Sequence, residues 1–127
     1  MYQENIDLVL NECRSILSAV ASEDTELLIE KILNADQVFF VGVGRVLLSL
    51  KSVAKRLFHL GICTHIVGEI TEPAIKSGDL LIAASGSGES LFPKAIAQKA
   101  KALGAEVVMI GSNRESTLAK TADFMIR

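Results

Sequence analysis

The 127-residue chain has no tryptophan, one tyrosine and five phenylalanines, so aliphatic side chains must supply nearly all of its core. Proline is scarce as well, with two residues, and half the chain is hydrophobic against 22% charged, a balance that excludes a disordered polymer. The two cysteines, Cys13 and Cys63, form no CxxC pair, and His65 near Cys63 is too little for a metal site, so neither a disulfide framework nor a bound metal is implied. Both thiols are expected to fill core space in a reducing cytoplasm. An excess of positive charge is also missing. Thirteen Lys+Arg meet fifteen Asp+Glu for a net charge of −2, which removes the basic footprint that a nucleic acid or an anionic membrane would need. The longest uncharged stretch, Leu57 to Gly68, falls far short of the ~20 apolar residues that span a bilayer. The polar start of the chain, with Gln3, Glu4, Asn5 and Asp7, does not read as an export signal. The length fits one domain.

What is present is a strong change of period. Ile6, Val9, Leu10, Cys13, Ile16, Leu17 and Val20 recur at three- and four-residue spacing and predict a helix whose apolar stripe must pack on something. Ser22 or Asp24 can cap a second helix carried by Leu27, Leu28, Ile32 and Leu33. From Val38 the pattern becomes that of buried strands. Val38-Phe39-Phe40-Val41 is continuous and apolar, as strands covered on both faces are. Helix Val46–Leu60, strand Cys63–Val67, a turn-rich stretch through Pro73 and Gly78, strand Leu80–Ala84, helix Phe92–Leu103, strand Val107–Ile110, a short helical turn near Ser116–Ala122 and strand Phe124–Ile126 follow. Gly61 and Gly104 stand where the two long helices need a left-handed residue to end. Alternating βα units predict an α/β fold. Its five-stranded parallel sheet is doubly wound into three α-β-α layers in the flavodoxin-like order 2-1-3-4-5, with residues 1–34 as a helical extension and 35–127 as the sheet domain.

In that order the chain leaves the first and third strands in opposite directions and opens a crevice at their carboxyl ends. Two glycine-rich loops would meet there, Gly42-Val43-Gly44-Arg45 and Ser85-Gly86-Ser87-Gly88-Glu89-Ser90. The second follows a buried strand and precedes a helix with Pro93 in its first turn. Its glycines let successive amides point inward, its three hydroxyls add donors and the helix start adds positive charge, all of which suit a phosphate monoester. The competing reading is a glycine-rich turn whose serines cap the helix. The loop lacks the GK[ST] of a Walker A motif, and Ser85 stands where a nucleophile elbow needs glycine. Gly42-Val43-Gly44 with Glu69 beyond the second strand suggests a dinucleotide fingerprint instead, but Leu47 occupies the slot of the third glycine. His59 shares a polar helix face with Arg45, Ser52 and Arg56, opposite Val53, Leu57 and Leu60, and is expected outside the core. Lys94, Lys99 and Lys101 read as a solvated face.

Taken together, Val41-Gly42-Val43-Gly44-Arg45, Lys55-Arg56-Leu57-Phe58-His59-Leu60-Gly61, Val67-Gly68-Glu69, Gly78-Asp79-Leu80-Leu81-Ile82, the serine loop, and Ser112-Asn113 followed by Ser116-Thr117-Leu118-Ala119 resemble the sugar isomerase (SIS) domain. The resemblance covers residues 35 to 127 and is closest to the 6-phospho-3-hexuloisomerase branch, which acts in the ribulose monophosphate pathway of carbohydrate metabolism. It implies interconversion of 3-hexulose 6-phosphate and fructose 6-phosphate through an enediolate, with no cofactor and no metal. It further implies that Gly44, Arg45 and the segment Ser85, Gly86, Ser87, Gly88, Glu89 and Ser90 hold the sugar phosphate. His59 would assist ring opening or polarise the carbonyl, from a helix that faces a neighbouring subunit in a homodimer or homotetramer. Two departures stand out. Val46 occupies the place of a family serine, leaving Arg45 to supply a charged contact, and the sequence ends at Arg127, before the segment that carries the family's glutamate base. Glu89, the one acid in the phosphate loop, is held as a weak substitute base. The readings stand in the order isomerase, non-catalytic phosphosugar sensor, dinucleotide enzyme.

Overall fold

The structure is a computed structural model that describes residues 1–127. Helices α1 (Tyr2–Ser18) and α2 (Ser22–Asn34) precede strand β1 (Val38–Val41), helix α3 (Gly44–His59) and strand β2 (Thr64–Ile66). Strand β3 (Leu80–Ala84), helix α4 (Leu91–Ala102), strand β4 (Glu106–Ile110), the short helix α5 (Thr117–Thr121) and strand β5 (Phe124–Ile126) complete the chain. All strand pairs are parallel and the order is β2-β1-β3-β4-β5, as the βα alternation predicts. No helix is long and apolar enough to cross a membrane.

The uninterrupted apolar strands are explained by two cores, one on each face of the sheet. Strand side chains alternate in direction, so Phe39 and Val41 of β1 and Leu81 and Ala83 of β3 face Ala97 and Ala100 of α4 and Leu118 of α5. Val38, Phe40, Leu80 and Ile82 point the other way, onto Leu50 and Ala54 of α3. Phe39 and Phe40 are both buried, on opposite sides, and each such side chain contributes roughly 1.5–3 kcal/mol relative to exposure. The crossover from β2 to β3 has no helix. Val67 and Ile75 of its irregular segment pack on the α4 side instead. Asp79, which immediately precedes β3, is buried and accepts the Lys76 amide at 2.9 Å, so it fastens the turn at the pole of the sheet where the strands begin.

Helix ends follow the glycines. Behind α3, the amide of Gly61 (φ 91°) bonds the Phe58 carbonyl and that of Ile62 bonds Leu57; behind α4, Gly104 (φ 88°) and Ala105 bond Lys101 and Ala100 in the same pattern. Both are Schellman closures, in which a left-handed residue turns two amides back onto the last free carbonyls.

Five expectations need correction. Strand β2 is three residues long, because it lies at the sheet edge with β1 as its one partner, although amide bonds from Val38 to Cys63 and from Val67 to Phe40 continue the ladder beyond each end. Neither Ser22 nor Asp24 caps α2; its N-cap is Ala21, with no side-chain bond, and Glu23 and Asp24 complement the helix start by charge alone. The buried side of α3 runs through Leu50 and Ala54, whereas Val53 and Leu60 are exposed. Both cysteines are exposed, Cys13 because α1 buries nothing and Cys63 because it sits in the turn before the edge strand. The apolar stripe of α1 finds no cover in its own chain. Helix α2 does, through Leu28 and Ile32, which pack beneath α3 and the sheet, and through an ion pair between Lys31 and Glu106.

Candidate active site

Strands β1 and β3 are hydrogen-bonded neighbours in a register that sets Val41 beside Ala83, so the loops that leave them emerge side by side. Gly42 lets α3 close onto the first of these loops: a β-carbon there would lie 2.8 Å from Leu50 Cδ1, whereas the Ala84 carbonyl oxygen stays at an ordinary 3.5 Å. Val46 turns a methyl group onto the same spot. Gly44 (φ 62°) begins α3, and Arg45 follows it in the exposed first turn at the crevice.

The serine loop is held from within and from behind. Ser85 is buried; its hydroxyl oxygen accepts the Gly88 amide at 3.0 Å and donates to Ser90 Oγ at 3.2 Å, and its own amide bonds the Ile110 carbonyl. Ser87 Oγ accepts the Glu89 amide at 3.1 Å. From the β4–α5 connection, Ser112 Oγ donates to the Gly86 carbonyl at 2.8 Å and Asn113 Nδ2 donates to the Ser87 carbonyl at 3.2 Å. The Leu118 amide bonds the Gly88 carbonyl. Gly88 (φ 72°) rests directly on Ser116, so only a residue without a side chain fits.

What this frame leaves free is a set of donors. The amides of Gly86, Ser87 and Ser90 meet no acceptor in the chain, and α4 starts at Ser90 with no side-chain cap. Helix α5 shows the contrast, since Ser116 caps it by accepting the Ala119 amide. The serines of the loop therefore do not close the start of α4. They frame it, and an uncapped helix start with unbonded amides and serine hydroxyls beside it has the chemistry to take an anion.

Glu89 is engaged from two helices. Its carboxylate accepts the Thr117 amide at 2.7 Å and lies 3.6 Å from Lys94 Nζ. The Thr117 hydrogen bond, above all, holds its pKa below the ordinary glutamate value, with Lys94 adding to the effect. A carboxylate so engaged is a poor proton acceptor, and its work is to tie the loop to α5. A group whose folded pKa is depressed stabilises the fold above its unfolded pKa and loses that contribution as pH falls through the lowered value. Glu89→Gln is accordingly expected to flatten the acid limb of a stability profile below about pH 4.3. Urea midpoints for both proteins across that range check it, and parallel acid limbs would refute it.

His59 is exposed, as expected, at the last residue of α3. The helix starts at the crevice and has 16 residues, so at 1.5 Å per residue His59 stands roughly 22 Å from Gly44, at the opposite pole of the sheet. The structure thus gathers Gly44, Arg45 and Ser85 to Ser90 and leaves His59 out of reach of its own serine loop. Around His59 lie Ser52, Val53, Lys55 and Arg56, a shallow and mostly polar hollow. The reading of the sequence missed the bracing role of Ser112 and Asn113; they stood out as a motif, but nothing in their spacing says which loop they hold.

The SIS domain family matches residues 31–127. The chain is 41% identical over 124 residues to the 3-hexulose-6-phosphate isomerase of Bacillus subtilis, covering 98% of this chain and 67% of that protein. It is 38% identical to the enzyme of the same name from Mycobacterium gastri, over 96% of this chain and 61% of the relative. Thus it spans about two thirds or less of the length of these relatives. Among solved structures, a Methanococcus jannaschii protein for which a function as 3-hexulose-6-phosphate isomerase was inferred superposes with a TM-score of 0.84 at 32% identity, over 97% of this chain and 71% of that one.

Proposed function

We propose, from the premise that this chain belongs to the SIS domain family, that it is a phosphosugar isomerase interconverting 3-hexulose 6-phosphate and fructose 6-phosphate. The observation that carries the proposal is the open start of α4, where the amides of Gly86, Ser87 and Ser90 meet no acceptor in the chain and serine hydroxyls stand in the same loop. The phosphate dianion docks on these donors, and Arg45 at the neighbouring loop adds a charge-assisted contact. Fixing C6 through its phosphate sets C2 and C3 over the crevice between β1 and β3. A base removes the proton from C2 of the 3-ketose, giving an enediolate across C2 and C3. Return of a proton to C3, with the hydroxyl proton passing from O2 to O3, yields the 2-ketose. Neither a redox change nor a leaving group is involved.

His59 acts as the electrophile or proton shuttle at the carbonyl. With α3 holding it at the far pole, it serves the serine loop of a second copy, so the working unit is a homo-oligomer. Glu89 is not the base in this scheme, because its carboxylate is occupied by Thr117 and Lys94.

A coupled assay for fructose 6-phosphate formed from 3-hexulose 6-phosphate tests the proposal, with thermal unfolding as the binding readout. The expected result is turnover together with stabilisation of roughly 2.7 kcal/mol at a hundredfold excess of ligand over Kd. Stabilisation without turnover would replace the isomerase by a phosphosugar sensor, and absence of both would dismiss the site.

A further inference from the structure

The edge strand β2 carries a cluster of side chains that the isomerase reading does not use. The Val38 amide bonds the Cys63 carbonyl, which continues the β1–β2 register back to Gln37 and Cys63. The Leu80 amide bonds the Gln37 carbonyl and continues the β1–β3 register back to Gln37 and Asp79. Residues two apart on a strand share a face, so Cys63 and His65 on one strand and Gln37 and Phe39 on the next stand together on the α4 side of the sheet. No helix occupies the β2–β3 crossover, and Cys63 is exposed at this edge while His65 is half-buried.

The cluster is ordered from the inside outward. Asp79 is buried and accepts Gln37 Nε2 at 3.5 Å, which turns the amide oxygen of Gln37 toward His65. That oxygen lies 2.8 Å from His65 Nε2, and since an amide oxygen only accepts, Nε2 carries the proton. The Phe39 ring, its centroid 5.1 Å from that of the imidazole, packs on the same side chain. Cys63 Sγ stands 3.4 Å from His65 Nε2 and 3.8 Å from the Gln37 amide oxygen. This is the order of a nucleophile, an imidazole beside it and a third group that fixes the imidazole. Cys13, the other thiol, is exposed on α1, a helix that buries nothing, and its side chain takes part in no hydrogen bond.

We propose that Cys63 is a modification site, a thiol arranged for exchange with small disulfides, with His65 and Gln37 as its positioning residues. In the exchange the Cys63 proton passes to solvent and the thiolate attacks one sulfur of the small disulfide. A bond forms from Cys63 Sγ to that sulfur as the original S–S bond breaks, and the leaving thiolate takes a proton from solvent. The Cys63 sulfur is oxidised and the leaving sulfur is reduced. While Cys63 Sγ carries charge, the His65 Nε2–H donates to it in a charge-assisted bond. An excess of free thiol reverses the exchange. The site lies at the pole where the strands begin, away from the serine loop of the same chain.

Iodoacetamide in excess over the full chain at pH 7, with each cysteine followed by peptide mass spectrometry, tests the cluster, and glutathione disulfide tests the exchange. Cys63 should be alkylated at least ~10-fold faster than Cys13 of the same molecule, a comparison that needs no variant. Glutathione disulfide should add one glutathione, at Cys63, that dithiothreitol removes. His65→Ala should bring the Cys63 rate to within about threefold of the Cys13 rate, and Gln37→Leu, which keeps the imidazole but frees it from Asp79, should slow Cys63 at least ~3-fold. Equal rates at the two thiols, or a faster Cys63 that ignores His65→Ala, would overturn the proposal. Fast alkylation with no glutathione adduct would overturn the exchange.

Discussion

Gly88→Ala is expected to cost roughly 2–5 kcal/mol of stability and to abolish phosphosugar binding, an effect out of proportion to one methyl group. Two causes act together. The residue sits at φ 72°, where a β-carbon is strained, and that β-carbon would overlap Ser116 Oγ and Cβ and lie 3.0 Å from Met109 Cε. Ser116 cannot yield cheaply. It is fully buried, caps α5 through the Ala119 amide and bonds the Asn113 carbonyl, so moving it disturbs the segment that braces the loop from behind. Gly86→Ala is the control within the same loop: nothing lies within 4 Å of a β-carbon there and φ is not positive, so stability should change by less than about 1 kcal/mol. Urea denaturation of the two variants decides the matter. Equal midpoints would mean that the close contact at Gly88 does not constrain the loop.

His59→Ala is expected to do the reverse, lowering kcat by ~100- to 10,000-fold while leaving the unfolding midpoint unchanged, since the side chain is exposed and supports nothing around it. Stabilisation by sugar phosphate should survive, because His59 lies at the far pole from the loop of its own chain. The strongest form of the test mixes two inactive proteins. In one His59 is replaced by alanine; in the other Gly86 and Ser87 are both replaced by valine to fill the anion seat. Random exchange in equal amounts puts one intact serine loop opposite one intact histidine in half of the dimers, recovering about a quarter of the wild-type sites. No recovery after demonstrated subunit exchange would mean that His59 does not serve a neighbour's loop.

Much of the fold was legible because it depends on neighbours close in sequence. The buried strands announced themselves as unbroken apolar runs, and their alternation already divided Phe39 from Phe40 between two cores. Gly61 and Gly104 marked the helix ends because a left-handed turn needs a residue without a β-carbon, and both close as Schellman motifs. The crevice, too, followed from strand order, since adjacent β1 and β3 must release their loops together. Capping is not encoded in the same way. A serine at a helix start has the same composition whether it caps, as Ser116 does, or leaves the start open, as Ser90 does.

The sequence by itself determined the layered α/β architecture, the SIS resemblance and the place of the serine loop at the crevice, because each is encoded in periodicity or in a short run of glycine and hydroxyl residues. Only the tertiary structure decided how that loop is held. Ser112, Asn113 and Thr117 reach it from 26 to 28 residues away, through a β3–β4 register that no local pattern reports. It likewise decided that the Glu89 carboxylate meets the Thr117 amide and Lys94, that both cysteines are exposed and that His59 stands a helix length from the serine loop of its own chain. These outcomes are set by distances between elements remote in the chain, and such distances are fixed by packing.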